Sequence, residues 1–291
     1  MRKVLPALSA LAALVALAVA ATANGAFRSA AAIPGCAKGS LNLVSSGQLT
    51  IGADNPAYPP WFGGNAKKPW KVSDPTSGKG YESAVAYAVA SQLGFAKSEV
   101  KWTYVPFSNS FRPGKKPFDF YITQVSITPE RAKAVTFSKP YYYVNQAVVG
   151  RKGKPIASVR SVAGLRKFKL GAELGTTSYQ YIVDTIKPSS KPLVYKTNDL
   201  AVQALKNGLI DGIVVDLPTA FYVTAVQVPD GKIVGQFPSG ASKEGFGLVL
   251  QKGNSLAACV NKALDRLWAN KTITNLQRIW LAKVAGAPVL K

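Results

Sequence analysis

The chain has 291 residues, with 36 Lys and Arg against 14 Asp and Glu, a formal net charge of +22, and 47% of its residues are hydrophobic. That hydrophobic fraction at this length supports one large or two medium folded domains and excludes global disorder. The absence of His removes imidazole bases, Ser-His-Asp and Cys-His nucleophile systems and the commonest metal ligand; the two cysteines, Cys36 and Cys259, are too few for a thiolate zinc site or an iron–sulfur cluster.

Arg2 and Lys3 precede a nearly continuous run of Ala, Leu and Val over residues 4–21, followed by the A-x-A site Ala21-Thr22-Ala23, so residues 1–23 read as an export signal peptide. The run ends in small residues instead of a basic stop, which speaks against a retained anchor, and no later stretch is apolar enough to span a bilayer. Loss of Arg2 and Lys3 leaves 34 basic residues against 14 acidic, a net +20, which favours contact with anionic surfaces. Residues 24–46 form an N-terminal arm that carries Cys36. Ile33-Pro34-Gly35-Cys36 partly looks like a lipobox, in which Cys36 would be acylated, although Pro is unusual there and Cys36 lies well beyond the apolar run. The favoured alternative is a Cys36–Cys259 disulfide formed in an oxidising compartment.

Residues 49–53 (LTIGA) form a short apolar strand, followed by a turn-rich stretch punctuated by Pro and Gly over residues 54–80. Helical spacing over residues 81–93 stops at Gly94, and residues 100–105 (VKWTYV) alternate as a strand. Further strands are expected over 168–172 and 213–215, the latter delivering Asp216 at its carboxyl end, with a helix between them capped by Asn198 and ending at Gly208. A strand over 246–250 is followed by a helix with Leu256, Val260, Leu264 and Leu267 on one stripe and by a second carrying Leu276, Ile279 and Trp280. Strands alternating with helices predict an α/β fold with largely parallel sheets and ligands at the carboxyl ends of strands.

One segment is more informative than the rest: Asp119, then Ser126-Ile127-Thr128 and Arg131, continuing to Phe137-Ser138-Lys139-Pro140-Tyr141. Here the chain resembles the extracytoplasmic solute-binding proteins of family 3, the amino-acid receptors of ABC importers, with their D-x6-S-I-T-x-x-R run and F-S-x-P-Y. Leu49-Thr50-Ile51-Gly52 with Tyr58-Pro59-Pro60-Trp61 is similar to the family's opening strand and turn, and Gly80-Tyr81-Glu82 to its G-F/Y-D/E. Gly175-Thr176-Thr177 resembles the G-T-T of the second lobe. Residues 204–212 resemble A-L-x-x-G-x-x-D-A with Gly212 in the final place, and residues 259–264 with Ile279 and Trp280 are similar to the closing V-N-x-A-L and I-x-x-x-W. The resemblance covers roughly residues 47–283.

What the resemblance implies is a type II periplasmic-binding-protein fold of two α/β lobes joined by two crossings, with ligand in the cleft between them. Lobe one would comprise residues 47–140 and 244–287 and lobe two residues 141–243, with residues 141–143 and 235–244 as hinges. Arg131 offers a planar bidentate clamp for a ligand carboxylate. Ser126 and Thr177 would add hydroxyls and amides, Thr177 at a helix N-terminus. Asp216 would pair with the ligand ammonium, and backbone groups of Thr123 and Gln124 would reach ammonium and carboxylate. Tyr58 and Phe107 would flank the ligand side chain, whereas Trp61 reads more as core; Tyr141 is a further selectivity candidate. Asp54 either faces the side-chain pocket or opens the turn. Arg112, Lys115 and Lys116 read as a solvated basic loop.

The implied function is that of an exported importer subunit that binds a free amino acid and passes it to a membrane ABC permease, as a monomer, without cofactor, metal or nucleic acid. The alternatives are a catalytic member of the fold, such as a cyclic-acid dehydratase, for which no spare acid can be placed beside the motifs, and a ligand-sensing receptor domain. Basic residues spread along the chain without a nucleic-acid motif argue against a polyanion binder. Ligand class stays open: Asp54 in the pocket favours a cationic side chain, and the positive net charge favours an acidic one through steering.

Overall fold

The computed structural model describes residues 32–238, 243–281 and 287–291, so the signal-peptide reading of residues 1–23 and the centre of the second hinge lie outside the described residues. In chain order the elements are β1 (Leu49–Ala53), α1 (Tyr81–Gln92), β2 (Val100–Tyr104), α2 (Phe107–Ser110), β3 (Phe120–Tyr121), α3 (Pro129–Ala134), β4 (Val135–Val144) and β5 (Gln146–Arg151). They continue with β6 (Leu170–Glu173), α4 (Thr177–Tyr181), β7 (Leu193–Tyr195), α5 (Asn198–Lys206), β8 (Gly212–Asp216), α6 (Leu217–Tyr222), β9 (Gly231–Gln236), β10 (Glu244–Gln251), α7 (Leu256–Ala269) and α8 (Thr272–Leu281). Among the described residues no helix is long and apolar enough to cross a membrane.

Two five-stranded sheets result, with strand orders β2-β1-β3-β10-β4 and β7-β6-β8-β5-β9. The expected α/β class holds, but each sheet is mixed. β1 runs parallel to β2 and β3, and β6 parallel to β7 and β8, whereas β10 is antiparallel to β3 and β4, and β5 antiparallel to β8 and β9. The antiparallel members are the strands by which the chain enters a sheet from the other one. β4 stays in the first sheet as far as Val144, so Tyr141, Tyr142 and Tyr143, expected at a hinge, are strand residues, and the chain changes sheets at Asn145.

Burial explains the strand patterns. In the second sheet Ala147, Val149, Ile213 and Val215 face one apolar cluster and Val148 and Val214 the other, so Ile213-Val214-Val215 is continuously apolar because both faces are covered. In the first sheet Leu49 and Ile51 pack against α1 and α7, whose Leu256, Val260, Leu264 and Leu267 form the expected stripe. The second helix, α8, is present, with Ile273 and Leu281 buried and Leu276 and Trp280 packed against the same core, whereas Ile279 is 59% exposed. A third link between the sheets lies beyond α8, where Gln236 N–H donates to the Pro288 carbonyl at 2.8 Å, Leu290 N–H donates back to Gln236 at 2.9 Å, and the Leu290 side chain is buried in the second core.

The N-terminal arm is anchored by two devices. Asp119, the first residue of the signature run, is fully buried and accepts the N–H groups of Val44 and Thr50, each at 2.6 Å, so it ties the arm and β1 to β3. Cys36 is bonded to Cys259 in α7 across 223 residues, which leaves its sulfur with no valence for an acyl thioether. A cross-link of that span acts chiefly by restricting the unfolded chain. Replacing both cysteines by Ser is expected to lower the unfolding free energy by about 3–5 kcal/mol in chemical denaturation, and an unchanged midpoint would show that the arm contributes nothing.

Candidate functional site

The loop and helix around Ser126-Ile127-Thr128-Pro129-Glu130-Arg131 place one cation. Thr128 caps α3 by accepting the Arg131 N–H at 3.2 Å, and Pro129 stands at the first helical position, where its missing N–H costs nothing. The Arg131 side chain thereby turns into the space between the sheets and is only 8% exposed. Its Nη1 donates to the Ser126 carbonyl at 2.7 Å and its Nη2 to the Gly175 carbonyl at 2.8 Å. The guanidinium lies 4.4 Å from the Phe111 ring centroid and 5.6 Å from that of Phe107, a cation–π arrangement. Burial pulls its pKa down to about 10, against the pull of Glu244 and Asp216, so it stays charged at neutral pH.

From the second sheet, Gly175 takes φ +76° and the chain turns into α4. The cap of α4 is Thr176, which accepts the Tyr179 N–H at 3.2 Å; Thr177, expected at a helix N-terminus, is the first helical residue and lines the cleft. Likewise Thr197, not Asn198, caps α5, accepting the Leu200 N–H at 3.3 Å. Asp216 ends β8 as expected and accepts Gln146 Nε2 at 2.6 Å. Its pKa is raised well above the usual carboxylate range by burial and then by Glu244, with Gln146 and Arg131 opposing.

All nine residues singled out in the sequence, Asp54, Tyr58, Phe107, Thr123, Gln124, Ser126, Arg131, Thr177 and Asp216, line one cavity of about 210 Å³ between the sheets. Asp54 does both things considered for it, lining the cavity while accepting the Asn55 N–H at 2.8 Å. Thr123 Oγ1 accepts the Asp54 N–H at 3.1 Å, which fixes the turn. Trp61 also touches the cavity but is 1% exposed and packs edge-on against Tyr81, Tyr142 and Phe246. Tyr141 is fully buried away from the cavity. Lys116 is not solvated: its ammonium is buried and donates to the carbonyls of Arg112 and Asn109, closing the end of α2.

Several cavity residues had no signal in spacing. Glu173 at the end of β6, Asp199 in the first turn of α5 and Tyr222 in α6 line the same cavity. Tyr58 Oη donates to Asp199 Oδ2, and its ring lies 5.4 Å from that of Tyr222. Glu173 accepts the Asn198 N–H at 3.0 Å, and its pKa is pushed up to about 8 by burial and then by Asp54. Burial likewise raises Asp54 to about 6 against the N–H groups of Asn55 and Phe107. Gln146, 2% exposed, holds Ser178 through its oxygen at 2.7 Å while its nitrogen reaches Asp216. It stands at the start of β5, directly after the change of sheets, a position that the sequence reading did not mark.

Gln124 is held in a left-handed conformation, φ +42°, at the cavity wall. The cause is Glu82 at the start of α1, a fully buried carboxylate that accepts the Gln124 N–H at 2.7 Å, the Gln124 side-chain amide and the Tyr141 hydroxyl. Gly80, at φ +89° directly before α1, packs against the Trp61–Phe62 backbone, where a Cβ would lie 2.5 Å from Phe62 Cα. Burial pushes Glu82 up to about 7 against its three donors. Because that value exceeds the ordinary one of about 4.5, the folded chain holds the extra proton between the two; the contribution is complete below about pH 4.5 and is lost as pH rises through about 7. The unfolding free energy of the wild type relative to Glu82→Gln is therefore expected to fall by on the order of 3 kcal/mol across that window, and a flat difference would show that Glu82 does not titrate there.

Comparison with known proteins bears on the family and the fold. Residues 49–283 match the model of the bacterial extracellular solute-binding proteins, family 3. The chain is 29% identical over 213 residues to the ABC transporter arginine-binding protein 1 of Escherichia coli K12, covering 69% of this chain and 81% of that one. It is 28% identical over 259 residues to the L-cystine-binding protein TcyJ of the same organism, covering 87% and 89%. Among solved structures, an ancestral arginine-binding protein bound to arginine superposes with a TM-score of 0.64 at 30% identity, over 80% of this chain and 98% of that one.

Proposed function

The chain belongs to the bacterial extracellular solute-binding proteins, family 3, and from that membership we propose that it captures a free amino acid with a cationic side chain and hands it to an ABC permease. One observation carries the side-chain class. In a chain of net charge +22 with only 14 acidic residues, Asp54, Glu173, Asp199 and Asp216 line one cavity that holds two basic side chains, Arg131 and Lys196. The ratio of acidic to basic side chains in the cavity is thus the reverse of that in the molecule. Similarity to arginine-binding proteins supports the same reading.

In this reading the lobes are residues 47–140 with 244–287 and residues 141–243, the boundary falling between 140 and the change of sheets at Asn145. Arg131 spends two of its five donors on the Ser126 and Gly175 carbonyls, which leaves donors for the ligand carboxylate beside the hydroxyls of Ser126 and Thr177. Asp216 takes the ammonium, with backbone groups of Thr123 and Gln124 nearby. Tyr58, Tyr222 and Phe107 supply aromatic walls along which an aliphatic stem lies, and Asp54, Glu173 and Asp199 receive the distal cation. Because contributing residues come from both sheets, ligand bridges them and favours the closed form by its differential affinity. The protein works outside the cytoplasm as a non-enzymatic monomer. The carboxylates raised toward neutrality, Asp54 and Glu173, are the acids that a catalytic member of this fold would need, so recovery of the ligand unchanged after prolonged incubation is part of the test.

Isothermal titration of the refolded, ligand-free protein is expected to show saturable binding of L-arginine or L-lysine and none of L-glutamate. Arg131→Ala and Asp216→Asn should each weaken it by on the order of a hundredfold or more, since each leaves a buried opposite charge unpaired. Lys115→Ala, on the exposed loop, should leave it unchanged. Tight glutamate binding, or indifference to Asp216, would overturn the reading. A cation between Asp54 and Glu173 needs both ionised, so binding expels their protons. Arginine affinity should rise as pH increases from about 5 to about 8, and titrations at pH 7 in buffers of different ionisation enthalpy should report proton release.

A further inference from the structure

Glu244 is a carboxylate that neither the signature motifs nor the reading above uses. It opens β10, where the chain returns to the first sheet, paired in register with Val144. Its Oε1 accepts the Ser126 hydroxyl at 2.5 Å and the Thr177 hydroxyl at 2.7 Å, and its Oε2 accepts Gln146 Nε2 at 3.1 Å. Ser126 bridges to Phe246 in the first sheet, and Thr177 follows β6 of the second, so this one carboxylate takes a hydroxyl from each side of the cleft. We propose that Glu244 is an internal stand-in for the ligand carboxylate and thereby sets the head-group selectivity of the cleft. This rests on the assignment of Ser126 and Thr177 to that carboxylate.

The competition is stoichiometric. A Ser or Thr hydroxyl has a single proton to donate, and both protons here are committed to Glu244 Oε1. Both Arg131 Nη atoms already serve backbone carbonyls, so the guanidinium alone offers only its remaining hydrogens. Glu244 also shares the Gln146 nitrogen with Asp216, so an arriving carboxylate meets two anions beside one buried cation. It enters only by taking the place of the Glu244 carboxylate. A cationic ligand without a carboxylate keeps Glu244 where it is and gains from both anions. Glu244 therefore holds down the advantage of amino acids over the corresponding amines.

The test compares L-arginine with its decarboxylated counterpart, agmatine, by isothermal titration on the wild type and on Glu244→Gln. The variant is expected to bind arginine about tenfold more tightly and agmatine no more tightly, so that the ratio of the two affinities shifts by about tenfold. Weaker arginine binding, or an equal factor for both ligands, overturns the proposal. A second arm needs no amino acid: the melting temperature of Glu244→Ala is expected to rise saturably with added acetate, which fills the vacated place, while that of the wild type stays flat. The response should vanish in Glu244→Ala combined with Thr177→Val; equal responses in wild type and Glu244→Ala overturn the proposal. If the wild type takes up neither arginine nor agmatine while the acetate response holds, the cationic amino-acid reading falls and the stand-in stands.

Discussion

A guanidinium removed from water but still charged is the constraint on which the cleft depends. Arg131 is held by two backbone carbonyls from opposite sides of the cleft and by two phenylalanine faces. A buried ion of this kind is tolerable only where opposite charge and hydrogen-bond partners surround it. That requirement accounts for Asp216 and Glu244 at the same spot, and for Gln146, whose buried amide keeps those two carboxylates in place by donating to both. Burial, and after it the neighbouring Glu244, raise the Asp216 pKa well above the usual carboxylate range, so a further cation beside Asp216 is favoured. The cleft is therefore electrostatically incomplete on the acidic side.

Much of the frame was legible in the sequence because its elements are local. The apolar run 213–215, the stripe Leu256, Val260, Leu264 and Leu267, and the Gly94 stop each follow from spacing and burial alone. Strand direction was not legible. A parallel sheet follows when each strand is succeeded by its own crossover helix, and that holds for β1, β2 and β3 and for β6, β7 and β8. β5 and β10 instead arrive from the other sheet, and no residue in them announces which way they will run. The same cause hid the strap at residues 287–291, whose one apolar anchor, Leu290, reads as an ordinary tail residue until the second core is seen around it.

The cavity was legible where residues sit in contiguous runs and obscure where they stand alone. Ser126, Arg131, Thr177 and Asp216 were found through motifs, and each of those motifs has a mechanical reason: a Thr-Pro helix start that aims Arg131, a glycine turn before Thr177, a strand end under Asp216. Glu173, Asp199 and Tyr222 come from three separate elements and meet only in the folded chain. Asp119 and Glu82 stand at motif positions yet face the interior. One ties the arm to β1 and the other fixes the backbone of Gln124, so position in a motif did not by itself distinguish ligand contact from support.

The sequence left two conflicting hints about ligand charge, and the two act over different ranges. Net positive charge acts at long range, and at physiological ionic strength it is screened beyond a Debye length of about 8 Å. It therefore influences encounter with anionic surfaces and approach rates, and it averages over the whole exterior. Asp54, Glu173 and Asp199 line the cavity between the sheets, where burial has already raised the pKa values of Asp54 and Glu173. A cation placed among them favours their ionised forms and is attracted by them, whereas an anion there gains no such partner and raises their pKa values further. In the proposed reading discrimination is set where the dielectric is low, and there the local acidity of the cleft outweighs the global basicity of the chain.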